Sequence, residues 1–130
     1  MQERLKFSLE KYGVSEYFVF DMSTPDHLAY IRKEFKSYSR LSDVEPLPVF
    51  LDCSAGFWVD SMIDPDFFPT WTLLEKYLDT NKSLCFVSSE LHGRSNFDQW
   101  SKLRAWPRLG DEKIMICTDL PEMATSFFHV

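Results

Sequence analysis

Ser83-Leu84-Cys85-Phe86-Val87-Ser88-Ser89-Glu90 holds an unbroken apolar run that ends abruptly in a polar cluster. A strand covered on both faces must be apolar throughout, and the backbone leaving its carboxyl end can present polar side chains to a ligand crevice. Four more runs share the pattern. They are Phe18-Val19-Phe20 before Asp21, Tyr38 before Arg40-Leu41-Ser42-Asp43, Phe57-Trp58-Val59 before Asp60, and Ile114-Met115-Ile116-Cys117 before Thr118-Asp119. The sequence therefore predicts parallel strands over 17–21, 38–41, 57–62, 83–88 and 113–118. Five such endings in series point to one shared site.

Helical periodicity fills the gaps, so the chain alternates strand and helix. Leu5, Leu9 and Tyr12 line one face of a helix over 3–12, stopped at Gly13. Ser23-Thr24-Pro25-Asp26 supplies a cap and a first-turn proline before Leu28, Ile31 and Phe35. Glu45-Pro46-Leu47-Pro48 breaks the pattern and leaves a single helical turn at 48–54. Trp71, Leu74, Tyr77 and Leu78 mark the next helix. Phe97, Trp100 and Leu103 mark another over 96–105, and Pro121 opens a last one reaching Phe128.

The 130 residues are 45% hydrophobic and 26% charged with only 4 Gly and 7 Pro, a profile of one α/β domain spanning 1–130. Net charge is −6 and the basic residues are scattered, which argues against a nucleic-acid partner. No apolar run approaches a membrane span, and Met1-Gln2-Glu3-Arg4 does not begin a secretory signal, so a cytoplasmic location is expected. Cys53, Cys85 and Cys117 lack metal or redox spacing and read as structural. Asp64-Pro65-Asp66 lacks the ligand count of a calcium site.

Two architectures fit this alternation. Size favours an open, doubly wound, flavodoxin-like sheet. The other is part of a TIM barrel: a whole (β/α)8 barrel needs about 250 residues, so this chain would supply five of its eight units, with open sheet edges prone to self-association.

Particular strings weigh toward the barrel. They are Tyr17-Phe18-Val19-Phe20-Asp21-Met22-Ser23 with Pro25-Asp26-His27, then Ser39-Arg40-Leu41-Ser42-Asp43-Val44-Glu45-Pro46, and Gly56-Phe57-Trp58-Val59-Asp60. Val87-Ser88-Ser89-Glu90-Leu91-His92-Gly93-Arg94 and Ile116-Cys117-Thr118-Asp119-Leu120-Pro121 follow. From about residue 14 onward the chain resembles the C-terminal part of the bacterial phospholipase-C-like and glycerophosphodiester-phosphodiesterase-like TIM barrels. Members of that family begin with a His-Arg-Gly strand, acidic metal ligands, a His-Asp motif and a Lys-bearing strand, none of which is present here. The resemblance thus implies a fragment of a larger barrel, with the acid-base histidines and the ligands of a divalent cation, Ca2+ or Mg2+, upstream of Met1. It also leads one to expect Glu where Asp43 stands.

Carried over by position, Asp21, Arg40, Asp60 and Glu90 would surround a small phosphodiester substrate or its alcohol. A guanidinium suits phosphate, carboxylates accept from hydroxyls, and Trp58 can stack on a polyol. The competing interpretation pairs Arg40 with Asp60 as an internal ion pair. Glu90 and His92 would point the same way if their strand continued, making a carboxylate-oriented imidazole and the possible catalytic pair. Alternatively His92 is an ordinary loop residue. Arg94 can pin its loop to a carboxylate, and Asp119 before Pro121 suits a helix cap.

The expected function is a phosphodiesterase-like hydrolase wall, inactive alone. A receiver-like signalling module could use Asp60 as phospho-acceptor, but Asp21 is followed by Met22-Ser23 and the fifth strand lacks the required Lys. A binding remnant without chemistry is the third possibility.

Overall fold

The apolar runs at 57–59, 84–87 and 114–117 lie side by side. The computed structural model describes residues 1–129 and contains α1 (Gln2–Lys11), α2 (Thr24–Arg32), β1 (Tyr38–Ser42), β2 (Gly56–Asp60), α3 (Trp71–Asp79) and β3 (Ser83–Val87). A 3-10 turn (Ser89–His92), α4 (Phe97–Ala105), β4 (Ile114–Cys117) and α5 (Pro121–Phe128) complete it. The chain is α/β with a four-stranded, all-parallel sheet in the order β1-β2-β3-β4.

The expected first strand, 17–21, is reduced to one parallel bridge. Val19 donates to Lys36 O at 2.9 Å and accepts from Tyr38 N at 2.9 Å. Asp21 then takes φ 57°, a left-handed conformation that turns the chain out of the extended region. No second rung can form beyond it.

Register sorts the strand residues into two faces. Leu41, Val59, Phe86 and Ile116 form one row and Ser39, Phe57, Leu84 and Ile114 another. These rows pack beneath Leu74, Tyr77, Leu78, Leu103 and Trp106 of the α3 and α4 region, with Phe128 of α5 beside them. Burying each large apolar side chain contributes roughly 1.5–3 kcal/mol, so this layer dominates folding. Under α2 the same face turns polar. Buried His27 shares a 3.0 Å hydrogen bond with Ser37 Oγ, and Ser39 contacts Ser54 Oγ and donates to Val49 O.

Arg40, Trp58, Cys85 and Met115 form a row on the opposite face. The N-terminal segment crosses it: Phe18 stacks on Tyr38 with centroids 4.0 Å apart, and Phe20 stacks on Trp58 at 3.9 Å. Tyr38 lies across Gly56, where a Cβ would stand 2.5 Å from Ser83 O and 2.8 Å from the Tyr38 ring. Only glycine permits that approach.

The helix signals mostly act as expected. Ser23 and Thr70 accept from Asp26 N and Leu73 N, each at 3.3 Å, capping α2 and α3. One helical turn closes at Ser54 N to Phe50 O, 2.9 Å. The cap expected of Asp119 is absent: Leu120 occupies that position, and the Asp119 amide donates to Glu90 instead. Among the described residues no helix is long and apolar enough to cross a membrane. The three cysteines are free, and burial pushes the Cys85 thiol up to about 12, which suits a structural role.

Candidate functional site

All four strands deliver polar side chains at their carboxyl ends, and the loops that follow tie them together. Asp60, the last residue of β2, is the centre of the arrangement. Its Oδ1 accepts the Ser61 amide at 2.8 Å and lies 2.7 Å from His92 Nε2. The Asp60 side chain is 10% exposed and that of His92 28%, so a nearly buried carboxylate orients a half-buried imidazole. Facing a carboxylate, Nε2 is the protonated nitrogen, which leaves Nδ1 as the basic one.

This differs from the pairing expected of Glu90 with His92. The strand ends at Val87 and the chain coils into the 3-10 turn, which sends the two side chains apart. Glu90 reaches β4. Its two oxygens accept from the Ser88 and Thr118 hydroxyls, and the Asp119 amide donates to it at 3.2 Å. Burial opposes its ionisation, but these hydrogen bonds outweigh burial and lower its pKa. Ser88 also accepts Trp100 Nε1 at 2.6 Å, and Gln99 bonds both Val87 O and Ser89 N, fixing the turn on α4.

Arg40 does not pair with Asp60 as the ion-pair interpretation expected. Its guanidinium bridges Asp21 and Glu45, the latter at 2.9 Å, and remains 29% exposed. A small cavity of about 280 Å³ lies beside it, lined by Arg40, Glu45, Leu47 and Val49. Trp58 keeps its place in the same row as Arg40, with one indole face already covered by Phe20. Of the residues singled out in the sequence, the structure joins Asp60 to His92 and Asp21 to Arg40. Glu90 stands apart on the β3–β4 side.

Two anchors were not legible as such. Asp43 accepts three successive amides, Met62 and Ile63 at 2.8 Å and Asp64 at 2.6 Å, which together hold its carboxyl down at about 2. Arg94 was expected to meet a carboxylate. Instead it donates to Ser61 O at 2.8 Å, Ser61 Oγ at 3.0 Å and Met62 O at 2.9 Å. The only sequence signal for either was its place in the Leu41-Ser42-Asp43 and His92-Gly93-Arg94 strings.

The resemblance places the ligands of its divalent cation outside these residues, and the carboxylates present here do not form a site for one. Asp43, Asp60, Glu90 and Asp21 are each committed to separate donors, and among the described residues no group of three His, Cys, Asp or Glu converges. Compared with protein-family models, curated proteins and solved structures, the chain matches none.

Proposed function

We propose that the carboxyl ends of β1–β4 form the substrate-side wall of a phosphodiesterase-type pocket, within an arc of a (β/α)8 barrel whose other wall comes from residues outside this chain. The single observation that carries this is the hydrogen bond between His92 and Asp60 at the mouth of parallel strands. The arc is supported by strand order, which runs in sequence without the reversal of a doubly wound sheet, and by the packing of α2 to α5 on one face.

In this pocket Arg40 exchanges Asp21 for a phosphate oxygen, since a guanidinium offers a fork that suits either anion. His92 Nδ1 accepts a proton from the alcohol or water, and Asp60 stabilises the imidazolium that forms. The Trp58–Phe20 pair offers an apolar edge to a polyol. Glu90 holds the His92 turn in place through Thr118.

Carbethoxylation of the histidines, mapped by peptide mass, tests the proposal. A glycerophosphodiester should slow modification of His92 and leave exposed His129 unaffected. Equal rates at His92 with and without ligand contradict it. Turnover of that diester by the purified chain with added Ca2+ or Mg2+ would contradict the one-wall assignment.

A further inference from the structure

Among the described residues, the hydrogen bonds that cross from the His92 turn to the loop after β2 are those of Arg94 and the His92–Asp60 contact itself. Glu90 and Gln99 bind that turn to β4 and α4, so they fix its other side. Gly93 separates His92 from Arg94 with φ 69°, and this left-handed step sends the two neighbouring side chains to the same loop by different routes. His92 reaches the Asp60 carboxylate, and Arg94 reaches the carbonyls of the next two residues.

We infer that Arg94 is a positioning residue that sets the distance between His92 and Asp60 by clamping the 61–62 backbone to the His92 turn. The inference rests on the dyad described above. The geometry is demanding: one guanidinium satisfies Ser61 O, Ser61 Oγ and Met62 O, and Ser61 N is the donor that shares Asp60 Oδ1 with His92. Asp43, just past the end of β1, grips the same loop by the amides of 62–64, so the loop is held by its carbonyls on one side and its amides on the other. A lysine, a point donor on a flexible stem, can replace one of Arg94's three contacts but not its fork.

The test reads the imidazole rather than any activity. In 15N-labelled protein, His92 should show an Nε2–H tautomer with a proton protected from solvent exchange. Arg94→Ala should lose that protected signal and give mixed tautomers, and Arg94→Lys should restore it in part. Amide spectra establish that each variant is folded, and Arg108→Ala, which breaks remote ion pairs with Asp79 and Asp111, should leave the His92 signal intact. An unchanged signal in folded Arg94→Ala overturns the inference. So does an equal loss in Arg108→Ala, which would make the effect one of general stability. If Arg94→Ala does not fold, Arg94→Lys decides alone: a full wild-type signal overturns the clamp and a weakened one supports it. Asp60→Asn separates this from the dyad itself, since an unchanged tautomer there refutes the dyad whatever Arg94 does.

Discussion

The two ends of the sheet are closed by opposite chemistry. At the amino ends, ammonium groups seal carbonyls: Lys82 donates to Asp52 O and Ser54 O at 2.9 and 2.6 Å, and Lys113 donates to Leu78 O in the last turn of α3 at 2.8 Å. A cation belongs at a helix carboxyl end, where Lys113 sits, and Lys82 ties down the turn before β2, so both contacts stabilise the fold. At the carboxyl ends, carboxylates collect amides and hydroxyls at Asp43 and Glu90, while Asp60 takes an imidazole. The difference lies in what remains free. At the carboxyl ends the His92 imidazole keeps one nitrogen, Nδ1, outside its bond to Asp60, and the Arg40 guanidinium stays 29% exposed in its ion pairs with Asp21 and Glu45.

Breaking the layer common to both ends should have the largest effect. Phe86→Ala removes a fully buried ring beneath both and should cost about 3–5 kcal/mol, read as a lower denaturation midpoint. The His92 tautomer signal and the amino-end resonances should then vanish together on mild denaturation. Gly56→Ala is more local. Its new Cβ meets the Ser83 carbonyl and the Tyr38 ring, so a loss of roughly 1–3 kcal/mol is expected, with the His92 signal preserved in the folded fraction.

Titration sharpens the comparison next. Burial lowers the His27 pKa below 6.5, so the unfolded chain binds more protons than the native one as the medium becomes acidic. Stability should be fully present above about pH 6.5 and decline below it, and His27→Gln should flatten that decline. Asp43 adds a second step. Its carboxyl is held at about 2 against an ordinary 3.8, so its contribution is present above 3.8 and lost as pH falls towards 2. Asp43→Asn should remove that lower step in a urea-midpoint series. The smallest effect belongs to Asp21→Asn, where an exposed ion pair with Arg40 is worth less than about 1 kcal/mol.

Much of the fold could be read from the chain because the central strands are short apolar runs, Phe57-Trp58-Val59, Leu84-Cys85-Phe86-Val87 and Ile114-Met115-Ile116-Cys117. Leu84-Cys85-Phe86-Val87 can satisfy itself only when covered, and its parallel neighbours follow from the alternation with helices. The first run failed at one backbone angle, since nothing in Phe20-Asp21-Met22 announces a left-handed aspartate. The site was half legible. Asp60 and His92 were each recognised, but their pairing depends on a 3-10 turn that redirects Glu90 to β4. Residues 32 positions apart meet through a loop geometry that no local periodicity encodes. Arg94 meets carbonyls rather than the expected carboxylate for a related reason: backbone carbonyls leave no mark on a sequence, whereas carboxylates do.

Mapping where a phosphodiester binds tests the central claim most directly. Titrating 15N-labelled protein with glycerophosphocholine and following every amide compares the two ends of the sheet in one experiment. Shifts should gather at 40–45, 60–64 and 88–94. The amino-end cleft of about 840 Å³ around Lys36, Ser83 and Lys113 should stay silent. Shifts confined to that cleft, or none at either end, would contradict a phosphodiester site at the carboxyl ends.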